Sequence, residues 1–450
     1  MNKILLVSFV VLIGLTCTEP AKRDVDKTEI SPYLFGQNLG LNMDSGGYVG
    51  NIDSNLWPKI RESGVSLVRI GGNSYDKSLP NNDTLSAWVK HIKEFGAEPL
   101  LQVSKHKSAN EAAALVKYFN IDKNIYIKYW SIGNDPCNKD EKSIEEISAF
   151  IKKYSSAMKA IDPSIKIFVP DATSYFPELY EKLLMHNKNS IAGRDAYGNW
   201  YVDGITFHLY PNGKDYSRAD VVFNSVSKMR GMMMKVKNDI ELANIKYNRQ
   251  GADKLLWGIT EFNITYSNPE YLGVEGVSAP SFLNGQFWVD VFGLCMEYGA
   301  FTASAGCIQE STKEQSDYLN MKDSPNTKEY PSYYHLQMMA KNMKGEYIKM
   351  KTDNPFVKAF GTSTKYENSI LIMNQDVTQS FDFDFSTLNG IKTGKNILID
   401  TNKEIEATYS GKIEPNTTLL FVFNKKGSVK KLLKYNLDMA AKHLPPKTII

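Results

Sequence analysis

Short apolar, β-rich runs alternate with amphipathic stretches of helical period from about residue 33 onward. YLFGQNLGLN (33–42), VSLVRIGGN (65–73), AEPLLQVSKH (97–106), YIKYWSIGN (126–134), IKIFVPDAT (165–173), VDGITFHLYP (202–211), LLWGITEFNITY (255–266) and AFTASAGCIQ (300–309) read as strands. Between them NLWPKIRESG, LSAWVKHIKEFG, SANEAAALVKYFN, the segment after Ser143, the region near 219–246 and FLNGQFWVDVFGLCMEYG carry the helical period. YYHLQMMAKNM closes the series. Ser108 and Ser143 stand at N-cap positions, the latter with Glu146 three residues on. This alternation of eight strands with helical stretches predicts a (β/α)8 TIM barrel over residues 33–344, although a doubly wound open sheet gives the same alternation. Past Gly345 the texture changes to short alternating strands separated by turn residues, which predicts a small all-β sandwich over 345–425. A Lys-rich tail, 426–450, remains.

The N-terminus departs from this pattern. Lys3 precedes the apolar run ILLVSFVVLIGL (4–15), which is short for a bilayer span and has the form of a signal peptide. Leu15-Thr16-Cys17 follows it and resembles a relaxed lipobox. Residues 1–17 are therefore expected to be an export signal, with Cys17 a candidate lipid anchor, and 18–32 a linker. Export to the bacterial periplasm, outer membrane or medium is the corresponding localisation, with membrane contact only through that lipid. Cys137, Cys295 and Cys307 are odd in number and lack CxxC spacing, so neither a disulfide framework nor a zinc site is indicated. A net charge of +3 on 53 basic and 50 acidic residues gives no argument for a nucleic-acid partner. HExxH, Walker, GxSxG and post-strand GxGxxG motifs are absent, and no cofactor or metal is implied.

In a barrel of this kind the C-terminal strand ends face the active site. The second strand ends in Arg69-Ile70-Gly71-Gly72-Asn73 and the fourth in Gly133-Asn134-Asp135. The sixth ends in His208-Leu209-Tyr210 and the seventh in Thr260-Glu261-Phe262-Asn263. Two carboxylates, Asp135 and Glu261, thus stand on nearly opposite strands of one mouth. Cleaving a glycosidic bond needs such a pair, one protonated to assist the leaving oxygen and one ionised to attack or stabilise the sugar. Arg69 is placed to hold one of them ionised. Each residue also has a plainer reading: Asp135 before Pro136 as a turn residue, Arg69 in a structural ion pair, His208 as a satisfied core histidine. Glu261, inside an apolar run, is costly unless paired or used.

IGNDP on the fourth strand and GITEFN on the seventh resemble the paired motifs of clan A glycoside hydrolases. VRIGGNSYD and ITFHLYP are similar to families 44, 51 and 39, which append a β-sandwich. The resemblance implies a retaining (β/α)8 hydrolase of β-linked polysaccharide or oligosaccharide, with a carbohydrate as its partner. It makes Glu261 the nucleophile, Asp135 the acid/base and Asn134 the ligand of the sugar 2-hydroxyl. Arg69 and Tyr210 would flank the nucleophile, His208 would line the subsite, and Asn73 is a further candidate for substrate contact. Two departures stand out. The acid/base is Asp where the clan has Glu, which leaves open a carbohydrate-binding pseudoenzyme. The eighth strand also lacks the Trp that stacks beneath the sugar, so Trp130, Trp200, Tyr201 or Tyr266 would have to provide stacking.

Overall fold

A computed structural model describes residues 28–39, 43–44, 47–48, 56–136, 142–213, 216–266, 273–306, 308, 329–388 and 396–450. Cys17, Cys137 and Cys307, the expected signal and most of the expected linker lie outside them. The barrel strands are β1 (Phe35–Asn38), β2 (Leu67–Ile70), β3 (Glu98–Val103), β4 (Tyr129–Ile132), β5 (Lys166–Ala172), β6 (Gly204–Leu209), β7 (Leu256–Phe262) and β8 (Thr302–Ala305). All pair in parallel and close in the order β1-β8-β7-β6-β5-β4-β3-β2, so the open-sheet alternative is excluded. Ser108 and Ser143 each form a full capping box, with Glu111 and Glu146.

The period-2 alternation builds the barrel interior in two layers. Leu67, Leu100, Tyr129, Phe168 and Phe301 pack together at the lower level, with Tyr33 against them. Gly204 is small because any Cβ there would overlap the Phe168 ring. Two residues further along the same strands stand Arg69, Gln102 and Ser131, all fully buried. An apolar plug therefore supports a polar floor directly beneath the C-terminal mouth.

Two register irregularities interrupt the alternation near that mouth. On β5, Pro170 pairs with Thr206 and Ala172 with Phe207, leaving Asp171 as an extra residue at φ 50°. On β7, Ile259 pairs with Phe207 and Glu261 with His208, leaving Thr260 unpaired with β6. Such bulges re-aim side chains that strict alternation would turn to the other face.

The C-terminal part forms a six-stranded antiparallel sheet in the order Glu346–Ile348, Val357–Ser363, Glu367–Asn374, Thr417–Asn424, Val429–Asn436, Lys447–Thr448. The sequence past 425 is thus not a tail but two further strands of this sheet. Its Lys-rich composition concealed the alternation in VKKLLKYN, where Leu432, Leu433 and Tyr435 are buried. Part of the expected linker also joins the sheet, as Glu29 bridges Glu346 and Ile30 N–H donates to the Gly345 carbonyl at 2.8 Å.

Both faces of this sheet are buried, which explains the continuous apolar run TTLLFVFN. Ile370, Ile372, Phe421 and Phe423 meet Phe383 and Phe385 of the second layer. Leu371, Met373, Leu420 and Val422 face the barrel and join its core. The helix Phe282–Tyr298 lies between the two and is buried on every side over 282–296. Lys358 of the sheet pairs with its Asp290 at 2.7 Å, and Gln286 donates to the Asn374 carbonyl at 3.1 Å. Gly285 and Gly293 on this helix leave room for His335 and the Phe360 ring, which any Cβ would overlap. Gly293→Ala is therefore expected to cost about 1–3 kcal/mol by overpacking, read as a lower midpoint in denaturant unfolding.

Candidate active site

The strand ends bring together Arg69, Asn134, Asp135, His208, Tyr210 and Glu261. Arg69 is fully buried and sits at the centre. Its Nη1 donates to Asn38 Oδ1 at 2.8 Å and to Glu261 Oε1 at 2.9 Å. Its Nη2 donates to Asn134 Oδ1 at 2.7 Å, Asp171 Oδ2 at 3.0 Å and Gln102 Oε1 at 3.2 Å. One guanidinium from β2 thereby ties the ends of β1, β3, β4, β5 and β7 together.

The Glu261 carboxylate is 23% exposed, the most open of the groups around Arg69. Its Oε2 accepts from the Tyr210 hydroxyl at 3.2 Å and lies 3.6 Å from His208 Nδ1. Burial alone would raise its pKa. Attraction to His208 and Arg69, with the hydrogen bonds from Arg69 and Tyr210, wins and holds it below the ordinary glutamate value. His208 is 3% exposed and its Nε2 has no partner among the described residues.

Asp135 is placed differently. It sits at φ 48°, a left-handed conformation that Asp tolerates better than most residues, two positions after Gly133 at φ 69°. Its N–H donates to the Asp171 carbonyl at 3.1 Å, and its Oδ1 accepts from Thr173 N–H at 3.3 Å. Desolvation raises its pKa, Glu261 repulsion adds to that, and the opposing pull of His208, Thr173 N–H and Lys105 does not cancel it. The environments of the two carboxyl groups thus drive their pKa values apart, Glu261 down and Asp135 up.

Asn73 begins the short helix Asn73–Lys77, is exposed, and accepts from Asn134 Nδ2 at 3.1 Å. Of the aromatic residues considered for stacking, Tyr266 alone is at the mouth, 52% exposed and edge-on to Tyr210 at 6.3 Å. Trp130 is fully buried outside the barrel against Phe119. Trp200 and Tyr201 precede β6 at the opposite end, Trp200 between the guanidinium groups of Arg194 and Arg249. Those three provide no platform here.

Sequence reasoning missed Asn38, Asp76, Gln102 and Asp171. Asp76 is buried and accepts from Asn134 N–H at 2.8 Å, Gln102 Nε2 at 2.8 Å and Lys105 N–H at 3.1 Å, so it pins the β4 turn to β3. A polar side chain at or next to the end of a buried strand was the available signal for Asn38 and Gln102. Asp171 lies near the end of β5, inside the run IKIFVPDAT that reads as a strand, and was not singled out. Among the described residues no group of three or more His, Cys, Asp or Glu is arranged to hold a metal ion.

No family model matches the chain. An intracellular exo-α-(1→5)-L-arabinofuranosidase of Acetivibrio thermocellus is 26% identical over 204 residues, covering 39% of this chain and 38% of that relative. The solved structure of an α-L-arabinofuranosidase from Thermotoga maritima, in its arabinose complex, superposes with a TM-score of 0.64 at 14% identity, covering 89% of this chain and 98% of that one. A family 44 xyloglucanase of Paenibacillus polymyxa gives a TM-score of 0.57 at 12% identity, over 89% and 98%. The family 44 endoglucanase Cel44A of Clostridium thermocellum gives 0.55 at 13%, over 88% and 97%. The fold is that of clan A glycoside hydrolases of families 51 and 44.

Arg69→Met would leave two carboxylates buried without their cation, at a cost of about 3–5 kcal/mol near neutral pH. Because Glu261 is depressed in the folded state, its share of that stability exists above its unfolded pKa, roughly 4.3, and is lost as pH falls through the lower folded value. Denaturant unfolding should therefore show the gap between Arg69→Met and the parent protein narrowing as pH drops below about 4.

Proposed function

We propose that this protein is a retaining glycoside hydrolase in which Glu261 is the nucleophile and Asp135 the general acid/base. The observation that carries the proposal is the opposed environment of the two carboxyl groups at one barrel mouth: Arg69 and Tyr210 bind Glu261, whereas no cation touches the side chain of Asp135 among the described residues. Glu261 attacks the anomeric carbon as Asp135 protonates the departing oxygen. Asp135 then takes a proton from the water that releases the sugar from Glu261.

The remaining residues fit roles around that step. Asn134 is held by Arg69 and Asn73 and presents its amide to the 2-hydroxyl, where hydrogen bonds strengthen in the transition state. His208 lines the subsite beside Glu261, and Tyr266 gives the ring a face on which to stack. Asp is one methylene shorter than Glu, about 1 Å of reach. The hydrogen-bonded left-handed turn at 133–135 supports a fixed backbone placement of the acid.

The substrate we propose is a β-linked plant or microbial polysaccharide or its oligosaccharides, met by an exported enzyme. Because similar proteins include α-L-arabinofuranosidases, the substrate panel sets α-L-arabinofuranosides beside β-glucans, xylans and xyloglucan. Glu261→Gln is expected to abolish turnover throughout. Asp135→Asn is expected to slow poor leaving groups by about 10²–10⁴-fold while largely sparing dinitrophenyl glycosides, which need little acid assistance. Asp135→Asn without effect would remove the acid from that residue. Saturable binding without release across the whole panel would make the chain a carbohydrate-binding pseudoenzyme.

A further inference from the structure

Asp171 touches both halves of the site without facing the mouth as Glu261 does, and it is fully buried. Its Oδ2 accepts from Arg69 Nη2 at 3.0 Å, and its Oδ1 accepts from Thr260 Oγ1 at 2.8 Å, the residue before Glu261. Its carbonyl accepts from Asp135 N–H at 3.1 Å, and its own N–H donates to Thr206 Oγ1 at 3.3 Å. The β5 bulge makes this possible, since Phe168 faces inward and strict alternation would turn residue 171 outward. The bulge at Thr260 on β7 supplies the matching hydroxyl.

We infer that Asp171 is a positioning residue that sets the placement of both reacting carboxyl groups, its side chain acting on Glu261 through Arg69 and Thr260, and its main chain acting on Asp135. A single guanidinium shared by two carboxylates cannot neutralise either alone. Asp171 therefore limits how strongly Arg69 suppresses the basicity of Glu261, and a nucleophile held too firmly as an ion-pair partner reacts poorly. The charged and titratable groups around Arg69 and Glu261 are Asp171 on β5, His208 and Tyr210 at the end of β6, Asp135 after β4, and Lys105 with Asp76 beside the β4 turn. Asp171 alone among the described carboxylates shares Arg69 with Glu261.

This inference rests on the roles proposed above for Glu261 and Asp135, and its test separates the two. Side-chain carboxyl ¹³C resonances of the full chain are followed with pH, with Glu261→Gln and Asp135→Asn assigning the two signals. In Asp171→Asn the Glu261 midpoint should fall by about one unit, because Arg69 no longer divides its charge. On an activated aryl glycoside, kcat should drop about 10²-fold with little change in KM, as for a misplaced reacting group. A merely structural Asp171 would lower stability and leave the midpoint where it is. An unmoved Glu261 midpoint in a folded variant overturns the inference. Asp171→Ser, read in the same way, replaces the Asn variant if that one does not fold. A parent enzyme without turnover counts against the hydrolase proposal and not this one, because the titration needs no turnover.

Discussion

A fully buried arginine is tolerable only where its charge is balanced and most of its donors are met, and that constraint organises this molecule. Arg69 lies on the floor of the barrel mouth, with Glu261 and Asp171 balancing its charge and Asn38, Gln102 and Asn134 also accepting from Nη1 and Nη2, while Nε has no partner among the described residues. Each partner comes from the end of a different strand, so the cation fixes relative positions that no single loop could hold. The partners are fixed in turn. Asn38 Nδ2 donates to the Thr260 and Ala305 carbonyls, and Gln102 connects to Asp76, which grips the β4 turn. A path of hydrogen bonds therefore runs from the Glu261 carboxylate through Arg69 and Asp171 to the main chain of Asp135.

The fold makes that network affordable. The aromatic plug of Tyr129, Phe168 and Phe301 fills the lower barrel and keeps bulk water from the underside of the charges. The helix Phe282–Tyr298, buried on every side between barrel and sandwich, buttresses β7 and β8 from outside, with Trp288 and Phe292 packed on Phe262. The sandwich thus contributes to the site by rigidity, at a distance, through the same helix that carries Gly285 and Gly293.

Much of this was legible in the sequence, for physical reasons that also explain what was not. Strand–helix alternation is a periodic signal, and it placed all eight barrel strands and the strand ends carrying Arg69, Asn134, Asp135, His208, Tyr210 and Glu261. Closure of the sheet is a property of pairing, so periodicity alone left the open sheet in play. Asp171 was hidden because it is the extra residue of a bulge, where the side-chain alternation fails. Asp76 was hidden because it lies on a five-residue helix after β2 and works through backbone amides of a different loop. The last two strands were hidden by lysines on their exposed positions, and the choice of Tyr266 over Trp130, Trp200 and Tyr201 depended on which end of the barrel each one reaches.

The central claim is that Arg69 and its neighbours prepare Glu261, rather than Asp135, to bond to the sugar. Incubation with a 2-deoxy-2-fluoro glycoside bearing a good leaving group, matched to whichever sugar is turned over, tests this directly by intact-mass and peptide-mapping mass spectrometry. The account predicts a mass increase of one fluoroglycosyl unit, carried on the peptide at Glu261. Turnover without any trapped adduct, or an adduct on Asp135 or Asp171, would contradict it.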